Sequence, residues 1–178
     1  MKTNQEIASY ALEALKKAGA DYAQCVVSTG KTDEFNVDGG QFSLMRSLFN
    51  SAIALKALKN GKKGVITANR LDREAVDNAV RACMAAAESS VPDVAESIAE
   101  KEKNEVFSTG VLTPDRDRLF DRLQEYMDDV KRDYPKIMIE QLVSKYTHSE
   151  RVFMNTNGVE FKHTSGSYDF STMFSAHE

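Results

Sequence analysis

Ile7, Ala11, Ala14, Leu15 and Ala18 recur every three or four positions, which predicts a helix over Thr3 to Ala18 with one apolar face. Thr3 followed by Glu6 has the spacing of a capping box, and Gly19 stands where a left-handed C-terminal cap belongs. From Asp21 the period of apolar residues falls to two. Tyr22 to Ser28, Thr32 to Val37, Gln41 to Phe49, Ser51 to Leu58 and Gly64 to Ala68 read as short strands, with turns at Thr29-Gly30, Asp38-Gly39-Gly40 and Asn60-Gly61. Connections this short join antiparallel neighbours, because a parallel crossover needs about a dozen residues. A second helix follows. Leu71 and Val76 form a hydrophobic staple around a cap at Asp72, and Ala75, Ala79, Val80 and Cys83, with Ala86 or Ala87, make the buried stripe.

Val91-Pro92-Asp93 to Lys103 is polar and acidic, and reads as a connector that wraps rather than packs. Beyond it, Glu105 to Val111 predicts a strand. Thr113-Pro114 is read as the cap of a third helix through Tyr134, whose apolar face is Leu119, Phe120, Leu123, Met127 and Val130. Ile137 to Tyr146, Arg151 to Asn155, Val159 to His163 and Tyr168 onward read as strands, with a hairpin turn at Asn157-Gly158 and His148 in a turn. The fold class expected is α+β, with antiparallel sheets and helices packed on one face. A helix, strand meander and helix unit occupies residues 1–103 and a second, partial α+β unit occupies 104–178. The last residues, Ser167 to Glu178, alternate like a strand with no terminator, so the second unit is expected to stop in mid-element.

The composition narrows the class. With 178 residues, 42% hydrophobic and 28% charged, the chain suits a globular domain and excludes intrinsic disorder. No apolar stretch approaches the roughly 18 residues of a membrane span, and Lys2, Glu6 and Glu13 interrupt the start, so no membrane role and a cytoplasmic location are expected. The two cysteines, Cys25 and Cys83, lack a disulfide framework or a CxxC spacing and are expected to be buried free thiols. A net charge of -4 disfavours nonspecific binding to nucleic acid.

Several motifs invite chemistry and fall short of it. Gly30-Lys31-Thr32 has the end of a phosphate-binding loop, but Cys25 replaces its first glycine and a strand rather than a helix follows. Ser28 and Lys31 match S-x-x-K, a pair that works when the serine opens a helix; placed on a hairpin turn, it reads as solvated. His148, His163 and His177 include no close-spaced pair of zinc ligands, and His177-Glu178 lacks the second histidine of a zinc helix. Lys56, Lys59, Lys62, Lys63 and Arg70 surround the Asn60-Gly61 turn without interleaved aromatics, which favours a solubilising hairpin tip over a base-stacking surface.

The order of these elements, with certain short strings, resembles the TldD/PmbA family, whose members are also named as modulators of DNA gyrase and grouped with metallopeptidases. The strings are Ala18-Gly19-Ala20-Asp21-Tyr22-Ala23, Phe35 to Gly39, Asn60-Gly61-Lys62-Lys63-Gly64, Leu71-Asp72 through Ala82, Ser90-Val91-Pro92-Asp93, and Asn155-Thr156-Asn157-Gly158-Val159. They correspond to the front of a family member. Ser90 to Asp93 is closer to the PmbA (TldE) branch, while Ser51 to Leu55 and Val65 depart from the family's glycine-rich strand and from its usual residue after Gly64.

What the resemblance implies is a non-catalytic N-terminal portion of a subunit in a cytoplasmic zinc metallopeptidase that acts on peptides or unfolded proteins. Its partner would be a TldD-like catalytic subunit or a second copy. The family's zinc helix, with its H-E-x-x-x-H motif, has no counterpart in these residues, so no catalytic, cofactor or metal residue carries over. Zinc is expected only in the catalytic partner or in a further C-terminal part, and the chain alone is expected to be inactive. The alternative is a stand-alone module binding protein or nucleic acid through Lys59, Lys62 and Lys63. A hydrolase built on Ser28 and Lys31, or on an unseen metal, is a third reading.

Overall fold

The structure, a computed structural model, describes residues 3–176. Its elements run α1 (Asn4–Lys17), β1 (Tyr22–Asp38), β2 (Gln41–Lys59), β3 (Lys62–Ala68), α2 (Arg73–Ser89), β4 (Glu105–Gly110), α3 (Arg116–Asp133), β5 (Ile137–Asn155) and β6 (Glu160–Ala176). The strands form one sheet in the order β3-β2-β1-β5-β6-β4, giving the α+β class that the sequence predicts.

The ends of α1 and α2 are decided locally. The Thr3 hydroxyl accepts from the Glu6 amide and the Glu6 carboxylate accepts from the Thr3 amide, so both halves of the capping box are made. Asp72 caps α2 by accepting from the Ala75 amide, and Leu71 and Val76 both join the core there. Asp115 caps α3 through the Arg118 amide, which corrects the cap expected at Thr113-Pro114.

Strand length is the main departure from the sequence reading. Tyr22 to Asp38 is one strand and not two, because Thr29-Gly30 makes no turn. Gly30 is needed for another reason. The Asn50 side-chain oxygen occupies the space that a Cβ would fill, so glycine marks a close approach between strands. In the same way β2 joins two predicted strands, and β5 runs through His148, which lies in a strand instead of the expected turn. The real turns are the tight ones. Gly39-Gly40 and Asn60-Gly61 all have positive φ, as two-residue hairpin loops require, and β3 returns antiparallel to β2 with Leu55 opposite Ile66.

By packing, the chain forms two compact units that follow the strands rather than chain order. The first comprises Met1–Gly30, Asn50–Ser108 and Ser149–Thr164; the second comprises Lys31–Phe49, Thr109–His148 and Ser165–Glu178.

In the first unit, alternate residues Ala23, Cys25 and Val27 of β1 and Ile53, Leu55 and Ala57 of β2 face Leu12 and Leu15 of α1 and Val76, Val80 and Cys83 of α2. Gly64 lets α2 approach β3 closely, since a Cβ there would collide with the Cys83 carbonyl. The connector is tied down more firmly than a wrapping loop would be. Asn155 and Asn157 both donate to the Ala99 carbonyl, Asn104 accepts from the Glu160 amide, and Ile98 is buried while Val91 and Val94 are exposed.

In the second unit, α3 places Leu123 and Met127 on Phe35, Val37, Ile139 and Leu142, flanked by Leu119 and Val130. Phe120 is less buried than its helical phase implies, and its ring stacks on Phe42 at 4.5 Å.

Candidate functional site

The residues first suspected of chemistry are dispersed. Cys25 and Cys83 are buried thiols, and burial pushes them up to about 12 and about 11, so neither is a thiolate nucleophile at neutral pH. Ser28 and Lys31 both lie within β1, not on a turn, and Lys31 is engaged by Asp33 at 3.1 Å. His163 stacks on Phe107 with ring centroids 4.6 Å apart, and His148 lies on β5. His177 and Glu178 lie outside the described residues. Among the described residues no group of three or more His, Cys, Asp or Glu is arranged to hold a metal ion.

At the hairpin tip, each lysine has a partner nearby. Lys59 pairs with Glu88 at 2.9 Å, Lys62 donates to the Glu88 carbonyl at 3.1 Å, Lys56 pairs with Glu96 at 2.9 Å, and Lys63 pairs with the same carboxylate. Lysines 56, 59, 62 and 63 therefore hold α2 and the connector against the β2–β3 hairpin.

A second polar cluster lies in the second unit, around Asp33 and Glu34, and the pattern of the sequence does not announce it. Strand alternation puts Asp33 on the same side as Phe35 and Val37, where an apolar residue would be expected, and leaves it 8% exposed. Ser47 donates to it, Lys31 pairs with it, and Arg116 at the start of α3 reaches it through Nε at 2.9 Å and through one Nη at 2.6 Å. Burial by itself raises the Asp33 carboxyl; the hydrogen bonds from Ser47, Lys31 and Arg116 outweigh it and hold the group at about 2. The neighbouring Glu34 is 4% exposed. It accepts from Asn36 at 2.8 Å and from Arg46 at 2.8 Å, with Lys145 at 3.7 Å. The Asn36 hydrogen bond first, then Arg46 and Lys145, lowers its carboxyl against the opposing effect of burial.

Two buried carboxylates thus meet four cations. Both acids stay ionised at neutral pH, so neither is poised as a general acid or base, and their present role is to orient the basic side chains. Beside Asp33, a hollow of about 180 Å³ is lined by Phe35, Met45, Arg46, Ser47 and Arg116. The one sequence signal for this site is a pair of adjacent acids, Asp33-Glu34, inside an otherwise alternating strand.

Residues 23–87 match the model for PmbA/TldA metallopeptidase domain 1. No curated protein matches the chain. Among solved structures, TldE from Thermococcus kodakarensis superposes with a TM-score of 0.77 at 14% identity, covering 98% of this chain and 39% of that one. A candidate modulator of a DNA gyrase from Thermotoga maritima MSB8 gives 0.75 at 15% identity, covering 99% and 40%. A third, a candidate modulator of DNA gyrase from Bacteroides thetaiotaomicron VPI-5482, gives 0.77 at 16% identity, covering 99% and 42%. At such identities the likeness is one of fold, and the chain spans about two fifths of the length of each of these structures.

Proposed function

For a chain that carries the first domain of the PmbA/TldD family in residues 23–87, we propose the role of a non-catalytic N-terminal portion of a PmbA/TldE-like subunit in a zinc metallopeptidase assembly. The observation that carries this reading is the fold shared with TldE over 98% of the chain. The state of the side chains agrees with it. The thiols are buried with raised pKa values, and the two buried carboxylates are fully engaged in ion pairs. In this role the chain contributes to a dimer and to the wall of a substrate cavity, and works in the cytoplasm on peptides or unfolded chains supplied to a TldD-like partner that holds the zinc.

An extended peptide can be recruited by adding to a sheet edge, since backbone hydrogen bonds tolerate many sequences. The two edge strands differ in how they are guarded. The start of β3 is covered by the segment after α2, through a bridge from Lys62 to Pro92 and a hydrogen bond from the Lys63 amide to Ser90 Oγ. β4 is exposed throughout and carries neither proline nor lysine, the usual guards against pairing. Peptide addition is therefore assigned to β4.

The test is reconstitution. The protein is mixed with a TldD-like subunit, and unfolded polypeptide cleavage is followed with and without a chelator. The expected result is co-elution of the two proteins and chelator-sensitive cleavage by the pair, with no cleavage by this protein alone. Cleavage by this chain in isolation, or failure to associate, sinks the reading.

A further inference from the structure

The Asp33 cluster and the exposed side chains beside it have the make-up of a recognition surface. Asp33 is one negative charge shared between Lys31 and Arg116, which leaves a surplus of positive charge on that side of the strand. Arg116 spends Nε and one Nη on Asp33 and remains half-exposed, so its guanidinium is held in place with N–H groups still to give. Lys31 is likewise fixed, between Asp33 and the ring of Phe49, whose centroid is 5.8 Å from its ammonium. Beside these cations lie two large apolar side chains that the described residues leave mostly exposed. Met45 is 73% exposed and Phe49 is 77% exposed, and Met45 and Phe35 line the hollow next to Arg116.

This combination is local. The chain as a whole carries a charge of -4, and the lysine-rich tip of the β2–β3 hairpin has cations without aromatic neighbours in residues 51–70. A preoriented guanidinium and ammonium flanked by a large exposed ring and a flexible thioether match a ligand with negative charge and hydrophobic bulk side by side.

We propose that the surface formed by Lys31, Arg116, Met45 and Phe49 docks an extended peptide segment that presents a carboxylate side chain next to an apolar one. The carboxylate meets Arg116 and Lys31, and the apolar side chain covers Met45 and Phe49. The contacts are all within the second unit, and the site stands apart from the assignment to a peptidase assembly. Failure of reconstitution with a TldD-like subunit leaves it intact, and loss of peptide docking leaves that assembly intact.

The experiment uses a fluorescein-labelled ten-residue peptide alternating glutamate and leucine, read by anisotropy at low salt against the same peptide with glutamine for glutamate. The acidic peptide is expected to bind more tightly, with affinity falling as salt is raised. Lys31→Glu should weaken it about tenfold and Phe49→Ser about threefold to tenfold, on the scale of rim charges and exposed apolar contacts. Lys59→Glu, in the first unit and paired with Glu88, should change it less than twofold, roughly the noise of a screened charge. Circular dichroism checks that each variant is folded. Equal binding of the two peptides, or equal effects of Lys31→Glu and Lys59→Glu, overturns the proposal. So does sedimentation showing that a second copy occupies this face, with dimers lost in Phe49→Ser and no peptide bound.

Discussion

The two compact units solve the same packing problem with different materials. The first buries small aliphatic side chains and both cysteines between two helices and the sheet: Ala8, Ala11 and Leu15 from α1, Val76 and Ala79 from α2, Val27 and Ile53 from the strands. The second has one helix, a smaller apolar cluster built round Phe35 and Leu142, and two ionised carboxylates where more apolar residues would otherwise stand. It also exposes Leu44, Met45, Leu48, Phe49, Met138, Phe170, Met173 and Phe174. The lesson is a division of labour. The first unit exposes mainly valines, among them Val65, Val91, Val94 and Val106, with Tyr22 and Phe107; the second leaves a larger set of bulky side chains uncovered, which is the condition for contact with something else.

The contrast can be broken most directly at Leu15, fully buried in the first unit. Leu15→Ala should destabilise the protein by about 2–5 kcal/mol, as a deep cavity does, measured by urea unfolding. A loss under about 1 kcal/mol would mean that the first core is loosely packed and that the distinction fails.

Asp33→Asn probes the second unit. Taking away the charge leaves Arg116, Lys31 and Ser47 with a weaker acceptor, and a cost of about 1–3 kcal/mol at pH 7 is expected. The pH dependence has a definite sign. A carboxyl held at about 2, below its ordinary 3.8, contributes stability that is present above about pH 4 and is lost as pH falls towards 2. Wild type and variant should therefore converge across that window when unfolding midpoints are compared. Parallel curves would show that Asp33 is not paired as described.

A smaller effect is expected at the cap of α2. Asp72→Ala removes the acceptor for the Ala75 amide and should cost about 1 kcal/mol in thermal unfolding, with Asp72→Ser restoring most of it. The smallest belongs to Phe49, which is largely exposed. Phe49→Ser should alter stability by less than about 0.5 kcal/mol, the range of surface substitutions, so any loss of peptide binding in that variant is a loss of contact and not of fold. A larger destabilisation would place Phe49 in the core and remove the contrast between the units.

Much of the architecture is legible in local sequence because local interactions decide it. Thr3 with Glu6 and Asp72 with Ala75 close helix ends within a single turn, and Gly39-Gly40 and Asn60-Gly61 supply the positive φ of hairpin loops without reference to the rest of the molecule. The order helix, meander, helix and the apolar faces of α1 and α2 follow from periodicity alone. Strand continuity did not follow. Thr29-Gly30 has turn chemistry, yet it lies inside a strand, and the glycine there accommodates Asn50, a residue twenty positions away. His148 is drawn into β5 in the same manner, by pairing on both sides rather than by its own preference.

The candidate site was less legible still. Arg116 is separated from Asp33 by 83 positions, and Lys145 is farther from Glu34, so no spacing rule connects them. Sequence reading drew attention to Lys59, Lys62 and Lys63 because they are neighbours in the chain, and tertiary structure shows each of them bonded to groups on α2 or the connector. By itself, then, the sequence determined which segments are helical and where the tight turns fall. These depend on a few adjacent dihedrals and hydrogen bonds. Only the tertiary structure decided that Asp33 and Glu34 are buried and ionised, which cations face them, and which apolar side chains are left uncovered, because burial and charge pairing depend on what long-range strand pairing and helix docking bring alongside.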